Sequence, residues 1–189
     1  MITIVNKKHL IICFLTLTFL FFNFAFCSAK EYSFPDLNCK VNLPEEWIIA
    51  PNTFKDHQVT FLHCNSDNGY DSSLVIRSSL NKSGSVNDLS DQEIIEIANS
   101  TFEYINDNSK RIIENKVIQI NGHKASFLAI ESNLNNTRLN RILTQFSLGR
   151  NTYTIYIITL GTDTYDNLLP EIMEMLNTFN QYQNPAESV

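Results

Sequence analysis

Glycine is scarce in this chain. Five glycines, spread singly along 189 residues, leave no Gly-rich loop to cradle a phosphate and no G-x-S-x-G elbow for a serine nucleophile. Cysteine is sparse too, with four at Cys13, Cys27, Cys39 and Cys64, none in a C-x-x-C pair, so the usual zinc spacings are missing. His63 adjoins Cys64, yet neighbours on a strand point to opposite faces and cannot share a metal ion. Bases are outnumbered, 14 Lys and Arg against 20 Asp and Glu, for a net charge of −6. That sign argues against a nucleic-acid partner, whose affinity comes largely from phosphate neutralisation. Two motif-like stretches fail on spacing. Asn65–Asp71 puts Cys64 and Val75 where a calcium loop needs carboxylates. Ser79-Leu80-Asn81-Lys82 matches S-x-x-K without its partner motifs. No cofactor or metal site is expected.

Long apolar runs are confined to the N-terminus. Lys7 and Lys8 precede Leu10–Phe22, broken only by Thr16 and Thr18, and Phe24-Ala25-Phe26-Cys27-Ser28-Ala29 follows. This is the layout of a secretory signal peptide over residues 1–29, cleaved after Cys27 or after Ala29. An uncleaved anchor is the alternative, because Leu10–Phe26 approaches the length of a short span. Lipidation at Cys27 is a third reading, with Phe26 standing where lipoprotein signals have a small residue. The expected location is therefore outside the cytoplasm, in the periplasm or beyond the cell. Membrane contact is expected only through an uncleaved or lipidated N-terminus. Residues 30–180 suit one domain with a sizeable core, and 181–189 form a polar tail.

Thr152–Leu160 is the densest run of β-branched and aromatic residues. Tyr153/Ile155/Ile157 and Tyr156/Ile158/Leu160 make both its faces apolar, as in a central strand covered on each side. Before it come short strands at Tyr32–Pro35, Asn38–Leu43, Trp47–Ile49, Val59–Cys64 and Ser73–Leu80. Ser90-Asp91-Gln92-Glu93 has the form of a capping box, opening a helix through Ile94, Ala98, Phe102 and Ile105 that ends near Asp107–Ser109. Asn121-Gly122 predicts a hairpin between Ile112–Ile120 and His123–Glu131. A second hairpin joins Arg138–Leu148 to Thr152–Leu160. A last helix carries Leu168, Ile172, Met173, Leu176 and Phe179, with Pro170 placing its regular start near Asn167. The fold class is α+β, a largely antiparallel β-sheet sandwiched by two or more helices.

This order resembles the PsbP-like and DcrB-like group, an α/β/α sandwich that also includes small Ran-binding nuclear transport factors. The resemblance rests on Phe34-Pro35, Leu43-Pro44-Glu45-Glu46-Trp47, the Asn121-Gly122 hairpin, the strand Thr152–Leu160 and the closing helix to Phe179. Where the group commonly has glycine before the tryptophan, this chain has Glu46. The resemblance implies a noncatalytic binding or assembly module and carries over no site residue.

Three candidate features remain. Cys39 and Cys64 are expected to form a disulfide in an oxidising compartment, closing a loop of about 25 residues for about 3.5 kcal/mol; two buried free thiols are the alternative. Lys110, Arg111, Lys116, Lys124, Arg138, Arg141 and Arg150 crowd into one stretch between acidic helices, a candidate surface for an acidic partner or ordinary solubilising charge. Acids such as Glu93, Glu96 and Glu103 fall on outer helix faces and read as solvated. The expected function is that of an exported, noncatalytic, monomeric module binding another envelope protein. The alternative is a periplasmic small-ligand carrier with an apolar pocket between helix and sheet, lined by Phe102, Phe127 and Tyr156. No constellation of residues points to an enzyme.

Overall fold

The computed structural model describes residues 29–51, 57–65, 69–82, 84–105, 109–134 and 136–182. The segment expected to be a leader, with Cys27, and residues 183–189 of the expected tail lie outside them. The strand expected at the centre is there. β9 (Asn151–Leu160) is the fourth of seven strands in the order β3-β4-β5-β9-β8-β7-β6. It pairs antiparallel with β5 (Gly69–Leu80) and β8 (Thr137–Leu148). Outward from β5 come β4 (Gln58–Asn65) and β3 (Trp47–Ile49); outward from β8 come β7 (His123–Leu134) and β6 (Arg111–Ile120). Asn121 and Gly122, both at positive φ, make the tight β6–β7 turn.

Only one face of β9 is fully covered. Tyr153, Ile155 and Ile157 are each 0% exposed, whereas Tyr156 and Ile158 are half-buried and Leu160 is exposed. The inner face packs under α2 (Thr162–Asn177) and under a small sheet, β1 (Ala29–Phe34), β2 (Cys39–Pro44) and β10 (Asn180–Gln181). Phe179 anchors this layer, its ring 5.0 Å from Tyr153 and 5.1 Å from Phe146 in edge-on contacts. The outer face carries α1 (Asp91–Tyr104) over β6 and β7, where Ala98, Leu128 and Ile130 form a second, smaller cluster. The architecture is α+β with helices on both sides of one antiparallel sheet.

α1 opens with the expected capping box. Ser90 Oγ accepts from the Glu93 amide and Glu93 Oε2 accepts from the Ser90 amide. The Ser90 hydroxyl also donates to Glu93 Oε2 at 2.7 Å, and this bond, together with the one from the Ser90 amide, holds the Glu93 carboxyl below its ordinary range. The helix stops at Tyr104, short of the expected end, and Lys110 Nζ donates to the carbonyl oxygens of Phe102 (2.8 Å) and Ile105 (2.6 Å). A cation there meets the negative end of the helix dipole.

Three expectations need correction. α2 begins at Thr162 and runs through Pro170 rather than starting beside it. The proline costs one backbone bond but lies on the exposed side, while Leu168, Ile172, Met175 and Leu176 bury the helix on either side of it. Gln181, assigned to a polar tail, instead pairs with Cys39 as part of β10. The third concerns the disulfide expected between Cys39 and Cys64, which are free.

Candidate functional site

An irregularity in the sheet brings the first polar groups together. His63 pairs with Ser72 and Cys64 with Tyr70, leaving Asp71 as the extra residue of a bulge between β4 and β5. Strand alternation would send Asp71 and Ser72 to opposite faces; the bulge re-aims Asp71 toward His63. His63 Nδ1 lies 2.7 Å from Asp71 Oδ1, with both side chains largely buried. The imidazole packs against Trp47, ring centres 5.1 Å apart, and Trp47 Nε1 donates to Glu171 Oε1 at 2.6 Å. Asp71, His63, Trp47 and Glu171 thus form a chain of contacts from the bulge to α2. The Ser72 hydroxyl, beside His63 across the strands, makes no hydrogen bond among the described residues. Among the described residues, no hydroxyl is bonded to the ring of the acid–histidine pair.

Glu171 lies in the wall of a groove of about 350 Å³. One side is α2, through Asn167, Pro170, Glu171, Glu174, Met175 and Thr178; the other is the β1–β2 pair, through Ala29, Asn42 and Pro44. Thr178 Oγ1 accepts from the Asn42 amide at 2.9 Å and ties the two sides at one end. The groove offers two carboxylates among proline and methionine surfaces. It can take a cationic group with an apolar neighbour.

The residues singled out from sequence do not converge there. Cys39 and Cys64 are free thiols, which corrects the expected disulfide. Cys39 is buried on β2 in the small sheet, whereas Cys64 is exposed on β4 in the large one. Burial pushes the Cys39 thiol up to about 12, so the thiolate that exchange requires is scarce at neutral pH. Among the bases, Lys116 pairs with Glu114 on the inner face at the β6 edge, and Lys124 pairs with Asp91 at the start of α1. Arg138 pairs with Glu131, which also holds Arg111. Arg141 lies on the outer face of β8, and Arg150 in the β8–β9 turn. They are scattered over several surfaces. Phe127 sits in the inner core, while Phe102 and Tyr156 belong to the outer side, so these three line no common pocket.

Sequence reasoning missed Asp71, Trp47 and Glu171 as a group. Asp71 sat in a turn-like stretch whose parity no local pattern reveals. Trp47 and Glu171 meet across 124 residues of chain.

An antiparallel sheet between helices, entered through a short strand pair, is the PsbP/Mog1-like fold. Solved structures share it at low identity. The Ran-binding protein Mog1p of Saccharomyces cerevisiae matches with a TM-score of 0.58 at 12% identity, over 82% of this chain and 96% of that one. Cyanobacterial PsbP (CyanoP) of Synechocystis sp. PCC 6803 matches with a TM-score of 0.56 at 13% identity, over 82% and 94%. LpqN of Mycobacterium tuberculosis, described as involved in cell envelope biogenesis, matches with 0.53 at 9%, over 82% and 91%. The chain spans about half, 49%, of a Bacteroides thetaiotaomicron protein that it matches with 0.56 at 10% identity, over 82% of its own length. No protein-family model matches the sequence. No curated protein matches it either.

Proposed function

We propose that this protein is an exported, noncatalytic module that holds a basic segment of another envelope protein. The carrying observation is the groove between α2 and the β1–β2 pair, where Glu171 and Glu174 stand beside Pro44, Pro170 and Met175. Trp47 fixes one of the two carboxylates by its indole N–H, so the site is partly preorganised. The neighbours in fold support a binding role, since Mog1p is Ran-binding and LpqN is linked to envelope biogenesis. Export rests on the pattern of Lys7, Lys8 and Leu10–Phe22.

The test is cross-linking in the native cell from a photoreactive residue at Asn167. One envelope protein should be captured, and Glu171→Lys with Glu174→Lys should abolish that capture. A captured set unchanged by the double reversal would overturn the reading. A second reading, carriage of a small cationic ligand, is favoured by the groove's volume, which falls in the range of small-molecule sites. Added mass on the native protein, lost in the same double variant, would select it.

A further inference from the structure

The two faces of the sheet are covered unequally. On the inner face β4, β5 and β9 present side chains such as Phe61, Ile76 and Ile155 at 0% exposure. On the outer face the same strands present Leu62, Val75, Tyr156 and Ile158, all half-buried, and Leu160 at 44%. α1 packs on β6 and β7, and Leu143 of β8 joins its cluster. Among the described residues no helix packs on the outer side of β9, β5, β4 or β3. That strip is roughly 14 Å wide at about 4.8 Å between strands, and one helix about 10 Å across would fill it.

The strip and α1 complement each other. Charge on the strip's outward strand positions comes from Arg77 on β5, with Arg141 on the neighbouring β8 and no acid among them. α1 carries Asp91, Glu93, Glu96 and Glu103 and no base. It also exposes two large apolar residues, Ile97 at 41% and Tyr104 at 87%. Asn115 Nδ2 donates to Ile95 O and Asn99 Oδ1, which marks the flank of α1 facing β6. At roughly 100° per residue, Ile97 and Tyr104 fall on the opposite flank, beside the open strip.

We propose that this face is a homodimer interface in which each copy lays its α1 on the open strip of the other. A twofold axis through the face makes the contact twice and closes it, because one surface carries both ridge and groove. The two helices lie side by side between the sheets, with Ile97 and Tyr104 of each meeting near the axis. Glu96 and Glu103 face Arg77 and Arg141 of the second copy. This surface is separate from the α2 groove, so the two readings stand or fall independently.

Sedimentation of the full chain, with Arg77→Glu and Glu96→Arg alone and together, tests the proposal. The native protein should sediment as a dimer. Each single reversal should raise the dissociation constant at least about tenfold, which equals about 1.4 kcal/mol, and the double variant should restore association. A photoreactive residue at Tyr104 should cross-link to the Tyr156 region of a second copy. A native protein that stays monomeric to its solubility limit would overturn the dimer, as would a dimer indifferent to both reversals. Either result leaves the Asn167 capture experiment unaffected.

Discussion

The hydroxyl of Tyr153 lies 2.8 Å from the carbonyl oxygen of Asn38 and 3.0 Å from that of Leu37, and it donates its proton to this pair. The bond joins the central strand to the turn that opens β2, across 115 residues of sequence. Asn38 adopts a left-handed conformation there, φ 54°, and its amide bonds back to Pro35 O at 2.9 Å. Tyr153→Phe keeps the ring contacts with Phe146 and Phe179 and removes only the hydroxyl. We expect a loss of about 1 to 2 kcal/mol in urea unfolding, with the buried Leu37 carbonyl losing this donor while that of Asn38 keeps the Tyr182 amide. An unchanged midpoint would mean that water replaces the phenol.

Burial also sets an alkaline limit. The Tyr153 phenol is pushed up to about 12 from an ordinary 10.0, and the Cys39 thiol to about 12 from 9.0. Both acids hold their protons longer folded than unfolded. Above pH 9 to 10 the unfolded chain therefore binds fewer protons, and stability falls as pH rises. The contribution is complete below those ordinary values and is lost as pH climbs through about 12. Circular dichroism against pH should show cooperative alkaline unfolding, and Tyr153→Phe combined with Cys39→Ala should flatten that dependence even while lowering stability at neutral pH.

Phe179 is 0% exposed and packs edge-on against two aromatic rings. Phe179→Ala should cost about 3 to 5 kcal/mol, the usual range for emptying such a site. The loss should detach the end of α2 and β10 together, because Asn180 and Gln181 follow directly. Hydrogen exchange would show protection falling first at Leu176–Gln181.

The chain contains a single tryptophan, and its indole N–H meets Glu171 in the groove wall. Its fluorescence therefore reports on the groove without a label. Glu171→Gln should shift the emission while leaving the melting temperature within a few degrees. A basic peptide that occupies the groove should change the emission of the native protein and not that of Glu171→Lys.

Much of the fold was readable because its signals are local. The Ser90–Glu93 box, the Asn121-Gly122 turn and the dense β-branched run of β9 each specify structure within a few residues. What was hidden depends on distant partners. Pro170 looked like a helix start because proline disfavours interior positions, but buried residues on both sides of it carry the helix through. Cys39 and Cys64 looked like a pair because both fall on strands, yet strand periodicity does not say which sheet a strand joins. Gln181 carries no strand signal of its own and is ordered by β2. The groove is assembled from β1, β2 and α2, elements at the two ends of the described chain, and no spacing rule connects them.

The bulge at Asp71 has a consequence for how this gene can change. A strand normally cannot lose one residue, because every side chain beyond the deletion would turn to the wrong face. Here the chain carries one residue to spare. Deleting Asp71 would restore simple pairing of β4 with β5 and leave Leu74 and Ile76 in register with β9. The fold would tolerate the shortening, and the cost would fall on His63, which would lose its carboxylate. Single-codon length variation at this point thus separates the protein's architecture from the chemistry of its histidine.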